Sequence, residues 1–449
     1  MDGVLYGEGE KSFPALIEYY AAREKDANPL SKTFPDGAAW LDENGIFHQT
    51  SPQPLTPMED LPFIYDEAGR MDGFKNRIIY YETSRGCPFS CSYCLSSIDK
   101  KLRFRPLDTV KKELAFFLEQ RVPQVKFVDR TFNCKKSHAM AIWQFICDHD
   151  NGVTNFHFEI AADILDEEEI ALLKTMRPGL VQLEIGVQTA NHDTIHSINR
   201  KMDLARVAQV TEKIRQFHNI HQHLDLIAGL PLEDYESFGH SFDVVYQMKP
   251  SQLQLGFLKV LKGSPMQAEP PYEVLKTPWL SYDDIIRLKG LEEMVETYYN
   301  SGQFSNTVKV LCKQFDRPFL LYEALSDEYR ARKMHEKKHS REAQYQFIRD
   351  FAAARTTLDD ILVRQVLTLD YYLRDYARKR PSFALEQDSY KEEIRAVCLK
   401  AFPESSYKDV IRDYHIEVFV PPFTDEKQFV LFDYQHRDPL DQNAEIRKI

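Results

Sequence analysis

No stretch of this 449-residue chain holds enough consecutive apolar residues to cross a bilayer as a helix, which excludes a helical membrane protein. The opening residues, MDGVLYGEGEKSF, carry acid where a secretory leader carries base followed by an apolar run, so they do not read as a targeting segment. Cysteine is scarce and odd in number, seven in all, and four of them (Cys134, Cys147, Cys312 and Cys398) are scattered. That excludes a disulfide framework and leads us to expect a cytoplasmic protein whose reduced thiols are available as ligands. Basic charge is also short, with 57 Lys and Arg against 69 Asp and Glu and a net charge of −12. A protein whose main task is to hold nucleic acid needs an electropositive surface, so that class is excluded as well. The one basic run, RARKMHEKKHSR from Arg330 to Arg341, has no interleaved aromatics and reads as a solvated helix end or loop. There is no repeat of fixed period and no low-complexity tract.

What the chain does have, from Ile78 to Val260, is an alternation of short β-rich runs with amphipathic helical stretches. The strand candidates are IIYYETS, VKFVD, FHFEIAA, LVQLEIGVQ, HLDLIAGLP and LQLGFLKV. Six β-α repeats predict parallel strands with crossover helices, in a doubly wound or barrel-like sheet. Before them, residues 1–20 offer one short strand and a helix, too little to bury a core. Residues 21–77 read as a linker with a small hairpin turning at Asn44 and Gly45. After residue 270 helical patterns dominate, Tyr282 to Tyr299, Arg341 to Ala354, Leu358 to Arg378 and Ser389 to Ala401, followed by the strand-like runs YHIEVFV and QFVLFDY. The expected organisation is therefore α/β, residues 78–270, with a mostly helical C-terminal domain, 271–449.

Cys87, Cys91 and Cys94 lie directly after the first strand, spaced C-x3-C-x2-C. That position is the C-terminal end of a strand, the face where barrel enzymes place chemistry. Four thiolates saturate a zinc ion or a four-iron cluster, whereas three leave one iron open to a ligand that is not protein. A zinc ion completed by a distant His or Cys, Cys134 being nearest, is the alternative. His218, His221 and His223 are expected to straddle a helix-to-strand junction without sharing a face, and so not to hold a metal. Gly229 with Pro231, and Gly263 with Pro265, read as strand-ending turns.

The three-cysteine spacing, with the aromatic Tyr93 before the last Cys, resembles the radical S-adenosylmethionine (SAM) enzymes. The downstream strands extend the likeness through Glu159 in FHFEIAADIL, Gln188 in LEIGVQTAN, Arg200 in SINRKM and Asp225 in LDLIAGLP. The resemblance implies a partial (β/α)6 TIM-like barrel. Cys87, Cys91 and Cys94 would hold a [4Fe-4S] cluster, and SAM would chelate its open iron. Glu159 would approach the SAM amine, Arg200 its carboxylate, Gln188 and Asp225 the ribose, and backbone near Tyr93 the adenine. Reductive cleavage would then give a 5′-deoxyadenosyl radical acting on an unknown substrate, with a flavodoxin or ferredoxin as electron donor. Where many members show a Gly-Gly-Glu-like turn after the second strand, this chain has FVDRTFN, which resembles the Asp-containing variant of cobalamin-associated members. GVLYGEGE likewise resembles the last strand and exit turn of the cobalamin-binding domain that precedes many such cores. On that likeness residues 1–20 are a remnant, and cobalamin, expected for the group, is not expected to be held tightly by this chain. Asp413 and His415 match the Asp-x-His-x-x-Gly loop whose His ligates cobalt in that domain only by chance, because Val418 stands where the glycine should and the match lies at the wrong end of the chain. Two other classes stay open: an iron–sulfur electron carrier or sensor, and a zinc-stabilised scaffold that binds a partner.

Overall fold

The computed structural model describes residues 3–23, 34–67, 70–74, 77–266, 272–377 and 379–449. The predicted boundary at 270/271 and the helix end at Arg378 lie outside the described residues, as do Asp2 and part of the linker. Near the N-terminus the strands Gly3–Leu5 (β1), Ala38–Leu41 (β2) and Phe47–Gln49 (β3) form an antiparallel sheet in that order. The β2–β3 turn passes through Gly45 at φ 77°, a left-handed backbone that suits glycine. The helix Gly9–Arg23 leaves Phe13, Ile17 and Tyr20 at least half exposed along one stripe.

The remaining strands of the core are Ile79–Tyr81 (β4), Ser84–Arg85 (β5), Arg103–Phe104 (β6), Gln124–Phe127 (β7), Asn155–Ile160 (β8), Val181–Gln188 (β9), His221–Ala228 (β10) and Gln252–Phe257 (β11). Six of them make one parallel sheet in the order β11-β10-β9-β8-β7-β4. Each strand lies beside its neighbour in sequence within this sheet, and β4 and β11 stand at its two ends. This is the open (β/α)6 barrel. Its outer face is apolar because odd positions of β9 (Val181, Leu183, Ile185, Val187) are buried against the helices while even positions turn to the lumen. Phe127, Phe132, Trp143 and Phe158 interlock on that outer layer, with Phe132 and Phe158 ring centroids 4.3 Å apart. Burying each such ring contributes about 1.5–3 kcal/mol. Helix starts follow the sequence: Asp166 and Glu169 form a capping box for Glu167–Thr175, as Ser281 and Asp284 do for Tyr282–Val295.

The C-terminal helices Tyr282–Val295, Pro318–Ala331, Arg341–Arg355 and Asp360–Arg374 share one continuous apolar core with the barrel, running from Ile79 to Phe383. The last of these stops four residues short of the predicted end, because Asp375 turns to an extended backbone. A second core centred on Cys398, Ile416 and Leu431 supports an antiparallel sheet of Tyr414–Phe419 (β12), Gln428–Arg437 (β13) and Ala444–Lys448 (β14). The third strand escaped sequence reading because AEIRK is charged and exposed along most of its length. In this sheet His415 stacks on Tyr372 at 3.7 Å and lies 2.8 Å from the Glu417 carboxylate, which accounts for it structurally.

One expectation needs correction. His218 does sit apart, in a left-handed turn at φ 53°, but β10 already begins at His221. His221 and His223 are two residues apart on a strand and therefore share the lumen face.

Candidate functional site

The three cysteines lie on a loop, residues 86–102, that is tied at its base. β5 and β6 pair antiparallel through Ser84 with Phe104 and Arg85 with Arg103. Gly86 opens the loop at φ 90°, and a Cβ there would stand 2.7 Å from the Lys101 carbonyl oxygen, so only glycine fits. The Cys87 amide donates to the Asp99 carbonyl at 3.0 Å, and the Ser92 amide to the Ile198 carbonyl at 2.9 Å. Cys87 and Cys91 are buried and Cys94 is half-buried; all three are free thiols.

Asp129, in the FVDRTFN segment, is not part of the cavity beside this loop. Fully buried, its carboxylate accepts from the Thr83 amide (3.0 Å) and from the hydroxyls of Thr83 (2.7 Å) and Ser84 (2.5 Å). Burial pushes its carboxyl up to about 6 despite those donors. Its role is to anchor β5, and its neighbours Arg130 and Thr131 face the cavity instead.

On the N-terminal side, Glu8 and Glu10 of the GEGE turn clamp the base of the same loop. Glu8 pairs with Arg103, and Glu10 with Arg85, which also holds Glu82 at 2.9 Å. Burial would raise the Glu8 carboxyl, but Arg103 and the Thr56 amide hold it down at about 2.

All the polar residues singled out from the sequence reach one cavity with the cysteines. Glu159, Gln188, Arg200 and Asp225 line it together with Cys87, Cys91, Tyr93 and Cys94. Arg200 Nη1 lies 3.7 Å from Cys91 Sγ and 3.4 Å from the Tyr93 hydroxyl, while Nη2 donates to the Gly186 carbonyl. Gln188 takes φ 73° at the end of β9, an uncommon conformation for a side-chain-bearing residue and one that accumulates at functional sites. Gln188 Oε1 and Arg200 Nε are buried without hydrogen-bond partners among the described residues. Orphaned polar atoms of both kinds converging on one cavity fit a polar ligand with its own donors and acceptors. Cys134 does not line the cavity, and among the described residues no fourth cysteine and no histidine does. Three thiols without a fourth suit a cluster that leaves one iron open better than a closed zinc site.

Sequence reading missed the lumen beneath this rim. Barrel interiors are ordinarily filled by branched apolar side chains. Here Lys126, His157, Glu184 and His223 project inward from β7, β8, β9 and β10. Lys126 Nζ donates to Glu184 at 2.9 Å. His157 Nε2 lies 2.9 Å from the same carboxylate, and His223 Nε2 lies 3.0 Å from Asp225 Oδ1, both within charge-pairing distance. The strand alternation of VQLEIGVQ, which puts Glu184 on the face of Gln188, was the available signal.

A second cavity, about 660 Å³, adjoins the first and shares Tyr93, Cys94, Arg130, Gln188 and Asp225 with it. Its outer wall comes from β11 and, through Lys289 and Glu292, from the helix Tyr282–Val295. Lys289 is held over the Phe257 ring (4.4 Å) and against Glu273 (2.6 Å). Its size is that of a small-molecule site.

Residues 81–245 match the Radical SAM superfamily, and residues 263–432 match a family described as protein of unknown function (DUF4080). Over 149 residues, 32% of this chain and 31% of the other, the sequence is 29% identical to an uncharacterised methyltransferase of Pyrococcus horikoshii. Over 276 residues, 53% of this chain and 36% of the other, it is 25% identical to 2-(S-pantetheinyl)-carbapenam-3-carboxylate methyltransferase of Streptantibioticus cattleyicolor. The chain thus spans about a third of the length of these relatives. Among solved structures its fold is similar to that of the cobalamin-dependent S-adenosylmethionine radical enzyme OxsB with aqua-cobalamin bound, with TM-score 0.50 and 13% identity over 91% of this chain and 66% of that one. Among the described residues no helix is long and apolar enough to cross a membrane.

Proposed function

We propose that this chain, whose residues 81–245 match the Radical SAM superfamily, is an enzyme that cleaves SAM reductively at a [4Fe-4S] cluster held by Cys87, Cys91 and Cys94. The observation that carries the proposal is the convergence of three free thiols and four polar side chains on one cavity at the C-terminal rim of the open barrel. A cluster held there by Cys87, Cys91 and Cys94 would supply the one electron that splits SAM into methionine and a 5′-deoxyadenosyl radical. The protein's part is placement. Arg200, already against Cys91 and Tyr93, offers a planar donor to the SAM carboxylate. Glu159 faces the amine, and Gln188, with its buried unpartnered Oε1, accepts from the ribose hydroxyls beside Asp225. The backbone near Tyr93 edges the adenine. The 660 Å³ cavity beyond holds the substrate, so that β11 and the helix Tyr282–Val295 select it. A one-electron donor such as a flavodoxin or ferredoxin completes the reaction. Methyl transfer is the outcome that the names of the two relatives favour. The free thiols accord with a reducing compartment such as the cytoplasm.

The test is anaerobic reconstitution followed by iron and sulfide analysis and by chromatography of SAM products. Wild type should bind about four irons per chain and form 5′-deoxyadenosine on reduction. Cys91→Ala should lose both while keeping its far-ultraviolet circular dichroism. Zinc in place of iron, or a cluster without SAM turnover, would replace this reading by the scaffold or the electron carrier.

A further inference from the structure

The lumen is built for charge, and its charge lies under the residue assigned to the SAM amine. Parallel pairing places Glu159 of β8 beside Glu184 of β9, and Glu184 beside His223 of β10. Glu184 is pinned from the other side by Lys126 at 2.9 Å and by His157 at 2.9 Å, with only 18% of its side chain exposed. Burial would raise the Glu184 carboxyl, but those two contacts and the Lys126 charge hold it down at about 2, so it stays ionised. Glu159 has no such clamp. Its charged neighbours are Glu184 from β9 and Asp225 from β10, both acidic, opposed by Arg130 and Lys126 from the β7 side, and the cavity it lines also holds Asp163, Arg200 and Lys201. Burial first, then the Glu184 charge, pushes the Glu159 carboxyl up to about 7. One carboxylate is thus locked in its charged form so that the next, on the cavity wall, is poised between forms, a separation that recurs where a site handles protons.

We propose that Glu184, clamped by Lys126 and His157 inside the barrel, is a positioning residue that sets the charge with which Glu159 meets bound SAM. This rests on the reading of the cavity as the SAM site. An ammonium group must give up a proton to ligate a metal, and a neighbouring carboxyl that ionises near neutrality can take it. The balance is one proton moved from the SAM nitrogen to a Glu159 oxygen, with no electron transferred. SAM binding should accordingly strengthen as pH rises through the Glu159 midpoint.

The experiment has two readouts on the full chain. Carbon-13 carboxyl resonances of glutamate-labelled, metal-free protein give the Glu159 midpoint directly, the Glu159 signal being the one lost in Glu159→Gln. Equilibrium dialysis of radiolabelled SAM against reconstituted protein, across the neutral range, gives the midpoint of binding. Glu184→Gln removes the facing negative charge and should lower both midpoints by about one unit or more, whereas Lys126→Met removes a facing positive charge and should raise them. Glu159→Gln should flatten the pH dependence of binding. A merely structural role would not produce shifts of opposite sign from two near-isosteric changes. Midpoints that stay put, or move the same way in both variants, overturn the inference while wild-type SAM binding keeps the site assignment intact. A SAM affinity that ignores pH in wild type also overturns it. Absence of wild-type SAM binding at every pH, with Glu159 titrating and shifting as described, instead removes the SAM reading of the cavity and leaves the charge relation within the lumen.

Discussion

Asp129 shows how one carboxylate can be necessary to a site it does not touch. Three donors from Thr83 and Ser84 end on it in a fully buried position, so removing it leaves them without partners at the base of the cysteine loop. Asp129→Ala should cost about 3 kcal/mol in urea denaturation, the scale of buried hydrogen bonds to a charged group. Iron retention should fall with it even though every cluster ligand is present. In the sequence this Asp marked only a likeness of FVDRTFN to the Asp-containing variant of cobalamin-associated members, with no partner assigned to its side chain. Which way a side chain points at a strand end depends on what lies beside it, and Thr83 and Ser84 claim it. The cysteines were legible for the opposite reason: three ligands within eight residues need no knowledge of tertiary pairing. Glu159, Gln188, Arg200 and Asp225 were reached only through resemblance. The Lys126–Glu184–His157 contact was invisible, since it depends on register across three strands.

At the scale of elements, the tied loop and its N-terminal clamp are the parts most open to test. Gly86→Ala forces a Cβ against the Lys101 carbonyl in a left-handed backbone, a strain of about 1–3 kcal/mol. It should lower the iron-to-protein ratio after reconstitution by severalfold, leaving the barrel's thermal transition nearly in place. The clamp is pH-sensitive through Glu8. Its folded value of about 2 lies below the ordinary 4.5, so its stabilising effect is complete above 4.5 and is lost as pH falls from there through about 2. Hydrogen exchange should show the helix Gly9–Arg23 and strands β1 to β3 losing protection in acid before the barrel does, and Glu8→Gln should lose that protection already at neutral pH. The hairpin at Asn44 and Gly45 was readable from its turn residues alone. The partnership of GEGE with Arg85 and Arg103 was not, because the partners lie some 75 to 95 positions away.

For the molecule as a whole, the sequence boundary near residue 270 is not a boundary in the core. Phe319 of the helix Pro318–Ala331 is fully buried, 5.7 Å from Phe242 and 5.4 Å from Tyr235 on the helix Tyr235–Gln247, and its amide donates to Asp243 at 2.8 Å. Phe319→Ala should therefore destabilise barrel and C-terminal helices together, by about 3–5 kcal/mol, with tryptophan fluorescence and circular dichroism reporting one coincident transition. Two separate transitions would show independent domains. The alternation of strands and helices made the barrel readable. Its closeness to the C-terminal helices was not, because amphipathic helices advertise an apolar face without naming the surface they cover.

The sheet that carries all this is a hoop cut through, with β4 and β11 as its two free ends. A closed hoop has one bore, fixed by its ladder of hydrogen bonds, but a cut one can be sprung by bending at the gap without breaking any rung. The 660 Å³ chamber lies along the β11 end, and the side chains that span its outer wall, Lys289 and Glu292, belong to a helix rather than to the hoop. The width of that chamber therefore depends on how far this helix stands off from β11, and a change confined to the helix would alter it without disturbing a single rung of the sheet.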